Sequence, residues 1–264
     1  MNGAAADGWG GLEAALAAIA AGGQGPLTAA FLVFLRVGAA MALLPAFGEA
    51  TVPMRVRLAL ALAFSAVVAP AVMPALATAG PAAAAGEVVA GLLIGLALRL
   101  AVMALQIAGT MAAQATSLSQ FFGGAGADPQ PALTQLLLMA GLALAVASGL
   151  HVRVAAALVA SYDVLPPGPP VAAWQAAEWG VGRIGQAFAL AFALAAPFTV
   201  AGLVYNLALG VINRAMPQLM VAFVGAPALT LGGLALMALA LPAILAVWSG
   251  AVAPILAAPL EAMP

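Results

Sequence analysis

A chain of 264 residues that is 66% hydrophobic and only 6% charged, with a mean hydropathy of +1.18, has too little polar surface for a soluble fold, in which roughly 25% of residues are charged. A net charge of −1, with Arg as the sole cation, supplies no basic field for nucleic acid. The lack of Cys excludes disulfides, thiolate nucleophiles and cysteine metal sites.

Residues 1–25 read as a polar start, carrying Asp7 and Glu13, followed by a short interfacial helix ended by Gly22, Gly23 and Gly25. No basic residue precedes Arg36, so this segment is not expected to act as a secretory signal. Pro, Gly and charged clusters then punctuate six apolar stretches, about the number of 20-residue membrane helices the length allows. They run from Leu27 to Phe47, Val56 to Leu76, Val88 to Ala113, Ala132 to Val159, Ile184 to Val211 and Leu219 to Val247. Pro70 and Pro74 break the end of the second, Pro197 interrupts the fifth, and Pro227 and Pro242 fall within the sixth. The expected fold is an all-α membrane protein, four helices followed by a two-helix hairpin. The run LPPGPP at 165–170 divides them, because four prolines and a glycine cannot continue a helix.

Arg36 lies near the middle of the first stretch, where facing lipid would cost roughly 2.5 to 3.5 kcal/mol. It is expected to face protein or water: either a structural Arg bonded to carbonyls freed near Pro45 or snorkelling to an interface, or, in the sharper reading, an ion or substrate contact. On the third stretch Gly91, Gly95, Arg99, Val102, Gln106, Gly109 and Ala113 share an arc of roughly 80° at about 100° per residue. Gly91 and Gly95 form a GxxxG that admits a neighbouring backbone, while Arg99 and Gln106 need hydrogen-bond partners, so this face reads as a buried helix or subunit interface.

The connection from Ser119 to Pro131 places Phe121 and Phe122 beside Gly123, Gly124 and Gly126. It fits an ordinary turn with two phenylalanines in lipid, or a mobile apolar stopper in a pore. Residue type alone favours the turn. His151, the single histidine, stands where the fourth stretch turns polar and reads as an interfacial residue. The eight acidic residues are scattered, and no HExxH, GxSxG, paired-carboxylate motif or phosphate loop is present. Neither enzymatic chemistry nor a cofactor or metal is expected.

Taken in order, these features resemble the FliR family of flagellar export proteins, related to the SctT proteins of virulence secretion. The resemblance is carried by Arg36, Pro45, Phe47 and Gly48, by VPMRVRLALALA with Pro53, Arg55 and Arg57, and by Gly91, Gly95 and Arg99. It continues through Ala108, Gly109 and Gln114, Asp128 with Pro129, His151, the Leu165–Pro166 turn, Pro197, and NRAMPQLMVAFVGAP. In that last run Asn213, Arg214, Pro217, Gln218, Gly225 and Pro227 carry the likeness. Residues 1–25 and 165–180 and the Ala-rich filling depart from it.

The resemblance implies one subunit of a closed helical core that conducts unfolded export substrates, built with FliP-like and FliQ-like subunits and flanked by FlhB-like and FlhA-like proteins. It implies a bacterial inner-membrane site in the flagellar basal body, in contact with membrane lipid, and a plug-like loop at Phe121, Phe122, Gly123 and Gly124. It also implies a division into an N-terminal segment (1–25), a FliP-like helical part (26–165), a Pro-rich linker (166–182) and a FliQ-like hairpin and tail (183–264), whose helices need not cross the bilayer conventionally. The competing readings are a virulence-system homologue, a small-molecule secondary transporter and a membrane enzyme. A transporter would show inverted halves or polar groups converging at midplane from both, whereas here four helices precede two.

Overall fold

The computed structural model describes residues 25–48, 52–76, 79–116, 132–216 and 221–261, apart from the side chains of 221–224 and 226–227. Every regular element among them is helical, as Ala and Leu favour and as lipid requires of a chain that must satisfy its own backbone groups. The helices are α1 (Gly25–Leu43), α2 (Met54–Val72), α3 (Ala84–Thr116), α4 (Ala132–Ala147), α5 (Leu150–Val164), α6 (Ala173–Ala215) and α7 (Val221–Ala257), with 3-10 turns at Met73–Leu76 and Pro81–Ala83. Five are long and apolar enough to cross a membrane, or up to six if α4 and α5 are counted as one span. The chain is an all-α membrane protein.

Three features differ from the hydropathy pattern. The fourth stretch is not one helix: Gly149, at φ 79°, separates α4 from α5, a conformation that L side chains avoid. α6 begins at Ala173 rather than Ile184, because a helix resumes once the prolines end, whatever the polarity of Gln175 and Glu178. It also runs on through Pro197.

The described residues fall into two compact units, those from 25 to 96 with 154–176, and those between 97 and 153 with those between 177 and 261. In the first, α1 buries Leu32, Val33, Val37, Ala40 and Met41, a helical stripe that lies against the start of α3. A Cβ at Gly95 would come within 2.6 Å of the Ala40 carbonyl oxygen, and one at Gly91 would overlap that of Arg36. Pro45 follows the end of α1 and opens a turn in which Ala46 takes φ 68° and the Gly48 N–H donates to the Leu44 carbonyl at 2.7 Å. Phe47 fastens this turn edge-on to Phe64 of α2, with centroids 5.9 Å apart. The proline segment closes over the start of α3, where a Cβ at Gly86 would strike the Gly168 carbonyl.

In the second unit α4 packs along α7. Trp248 of α7 is buried and donates its indole N–H to the Ala101 carbonyl of α3 at 2.9 Å. Gly109 of α3 admits α4, with Thr134 Cα 2.6 Å from where its Cβ would stand. α6 and α7 form a hairpin held at both ends. Between the end of α6 and the start of α7, the Tyr205 hydroxyl donates to the Gly225 carbonyl at 2.6 Å; at the opposite end, Arg183 donates to the Glu261 carbonyl at 2.8 Å.

Candidate functional site

The polar centre of the first unit is a closed cluster on three helices, an ion pair between two of them and hydroxyl groups from the third. Arg36 of α1 projects from the stripe facing α3 and is 1% exposed; Glu87, in the first turn of α3, is 0% exposed. Arg36 grips the carboxylate with two N–H groups, Nε to Oε2 at 2.7 Å and Nη2 to Oε1 at 3.0 Å, the fork geometry that makes Arg–carboxylate pairs strong. α5 supplies the remaining contacts. Ser161 Oγ accepts from Nη1 at 3.1 Å while donating its own proton to the Leu158 carbonyl at 2.7 Å. The Tyr162 hydroxyl donates to Glu87 Oε2 at 3.1 Å, and its ring lies 3.6 Å beneath the guanidinium, a cation–π contact.

Nη2 also donates to the Leu165 carbonyl at 2.8 Å, just beyond α5. The last carbonyls of a helix have no partner within it and carry its negative pole, which a cation satisfies on both counts. Glu87 is the mirror case, an anion in the first turn of α3. Each charge therefore meets its counter-ion and a favourable helix end. Of the five guanidinium N–H groups, the four that donate here hold Arg36 in one orientation. Such a site binds helices together; it offers no nucleophile, and among the described residues no cluster could hold a metal ion.

This corrects two readings of the sequence. Arg36 is neither snorkelling nor bonded to carbonyls near Pro45, and the acids are not all scattered: Glu87 is its counter-ion. Glu87, Ser161 and Tyr162 were missed because they lie 51 and more positions away. The available signal was physical rather than local: a mid-helix Arg in lipid requires a counter-ion, which narrows the search to the eight acids without choosing among them.

The GxxxG glycines both lie against α1, whereas Gly109 lies against α4. Arg99 and Gln106 are half-buried, and Arg99 has an interaction partner. Ala97, which the 100° periodicity sets opposite the small face, is only 2% exposed; α3 is buried on more than one side, so its stripe is not its sole packed face. Pro53 caps the start of α2, its carbonyl accepting from the N–H groups of Val56 and Arg57. Arg57 Nη2 donates to the Val52 carbonyl at 3.2 Å, and Arg55 is exposed. Asn213 and Arg214 are exposed in the last turn of α6. Phe121, Phe122, Gly123, Gly124, Asp128, Pro217 and Gln218 lie outside the described residues.

Comparison with known proteins gives two concordant results. Residues 27–254 match the family described as "Bacterial export proteins, family 1". The chain is 37% identical over 228 residues to the "Flagellar biosynthetic protein FliR" of Caulobacter vibrioides, covering 83% of this chain and 91% of that protein.

Proposed function

Because the chain belongs to the FliR family of bacterial export proteins, we propose that it is a structural channel subunit of the flagellar type III export gate, passing unfolded flagellar proteins across the inner membrane at the basal body. The observation that carries this reading is the 37% identity spanning 91% of a flagellar biosynthetic protein, which favours the flagellar over the virulence system. The site described above is consistent with it, since a buried ion pair linking three helices gives rigidity to a scaffold and no chemistry to an enzyme.

In this reading the chain assembles with FliP-, FliQ-, FlhB- and FlhA-like proteins. Residues 26–165 form the FliP-like part, 166–182 the linker and 183–264 the FliQ-like hairpin. The long apolar side chains that α6 leaves exposed, among them Phe192, Leu203 and Leu207, are suited to neighbouring helices or lipid. Phe121 and Phe122 on their Gly-rich segment act as an apolar plug, keeping the idle path dry as hydrophobic gates do.

Deleting the gene and isolating a tagged chain from membranes tests the proposal. Loss of flagellar protein secretion, with FliP- and FliQ-like subunits co-isolating at fixed ratio, is expected. Normal flagella in the deletion strain, or an active chain isolated alone, refutes it.

A further inference from the structure

Glycine is frequent on α6 and α7, yet most of it serves no close packing within the chain: a Cβ at Gly180, Gly182, Gly185, Gly210, Gly232 or Gly250 would meet nothing within 4 Å. Gly202 of α6 and Gly233 of α7 are different, and both are buried. A Cβ at Gly202 would stand 2.6 Å from the Ala115 carbonyl oxygen; one at Gly233 would stand 2.6 Å from Thr116 Cγ2 and 2.8 Å from Thr116 Cβ. These two approaches fall on consecutive residues, the last two of α3.

A helix is held least at its end, because its last carbonyls have no partner within it. Thr116 turns its hydroxyl back onto two carbonyls of its own helix, those of Ala112 at 2.9 Å and Ala113 at 3.3 Å, and its methyl meets Gly233. Small residues on a facing helix allow backbones to close to this distance, so α6 and α7 take hold where the hydrogen-bond ladder of α3 runs out.

The chain resumes under a similar constraint. Thr134, in the first turn of α4, is 0% exposed; its Cα lies 2.6 Å from where a Cβ at Gly109 would stand, and its hydroxyl lies 3.4 Å from that of Thr110. Both points at which residues 117–131 join the described helices are therefore pinned. That stretch carries Phe121 and Phe122.

We propose that the α6–α7 hairpin anchors the plug: Gly202 and Gly233 are positioning residues that hold the end of α3 and, through it, set where Phe121 and Phe122 stand in the export path. The proposal rests on the plug reading of those phenylalanines and adds which part of the chain fixes their place. A seal made by dewetting fails once its apolar groups leave the constriction, so a displaced root is enough to open it.

The test is dye and ion leakage of cells, read per assembled gate recovered on native gels. Gly233→Ala, whose methyl displaces Thr116, should leak several-fold more than Gly232→Ala, the neighbouring glycine with open space around it. Combined with deletion of residues 119–126, Gly233→Ala should leak no more than the deletion alone, because two changes acting through one element do not add. A purely structural role predicts fewer gates and no extra leakage from each. Should Gly233→Ala fail to assemble, Thr116→Ser, which removes only the methyl facing Gly233, decides in its place. A leaky deletion variant beside an assembled, tight Gly233→Ala overturns the anchor and leaves the plug standing. A tight deletion variant overturns both, and leakage that adds to that of the deletion overturns the anchor by showing that the glycine acts elsewhere.

Discussion

Glu87→Gln changes little in shape and removes one charge, which makes it the sharpest test of the Arg36 cluster. Glu87 accepts three hydrogen bonds, from Arg36 Nε, Arg36 Nη2 and the Tyr162 hydroxyl. An amide oxygen can keep at most part of this set, and the amide NH2 turns a donor towards Arg36. The guanidinium, 1% exposed, then retains Ser161 and the Leu165 carbonyl but no counter-ion. Stranding one member of a buried pair costs about 3–5 kcal/mol, whereas removing both often costs far less. Replacing Arg36 and Glu87 together by Met should therefore be milder than Glu87→Gln, losing about 1–3 kcal/mol through the unpartnered, buried Tyr162 hydroxyl, since the Leu165 carbonyl is only part-buried and can turn to water. Unfolding of the purified chain in mixed micelles, followed by circular dichroism, measures all three proteins. A Glu87→Gln variant within about 1 kcal/mol of the parent, or a double Met variant less stable than Glu87→Gln, would refute the assignment of a strong buried pair.

Gly95→Ala should destabilise the chain because its methyl would come within 2.6 Å of the Ala40 carbonyl oxygen, whereas Gly210→Ala, with nothing within 4 Å, should be neutral or gain up to about 1 kcal/mol of helix propensity; equal melting temperatures for the two would show that α1 and α3 do not approach as described. Arg99→Leu should insert normally yet lower the yield of assembled gate on native gels, since it removes donors from a half-buried helix face; unchanged yield and export would remove Arg99 from the assembly surface. Deleting residues 119–126 should raise dye and ion leakage in cells while leaving assembly largely intact, and an assembled deletion variant as tight as the parent would end the plug reading.

The helical class and the extents of most spans are legible in the sequence because hydropathy and proline placement act locally. So is the close packing at Gly91 and Gly95, since two small residues one turn apart leave few other uses for that surface. The α4–α5 break is harder to read: Ser148 and Gly149 are small enough to pass inside an apolar helix, and only the positive φ of Gly149 reveals the turn. Ala97 shows the limit of a periodicity argument, which ranks the faces of a helix but cannot say how many of them have neighbours. The pairing of Arg36 with Glu87 is a tertiary fact. It joins residues whose local surroundings, a mid-helix position and a first turn, carry no mark of each other.

Arg36 fixes more than stability, because it reads a carbonyl at a counted distance from two side chains. Ser161, Tyr162 and Leu165 meet the cluster together only while the last turn of α5 keeps its length. One residue inserted after Tyr162 would turn the terminal carbonyl by about 100° and carry it about 1.5 Å along the axis, out of reach of a guanidinium already held by Glu87. Among natural variants this turn should then vary in letters and hardly ever in number, so that an alignment gap between Tyr162 and Leu165 would mark a chain that closes its first unit by some other means.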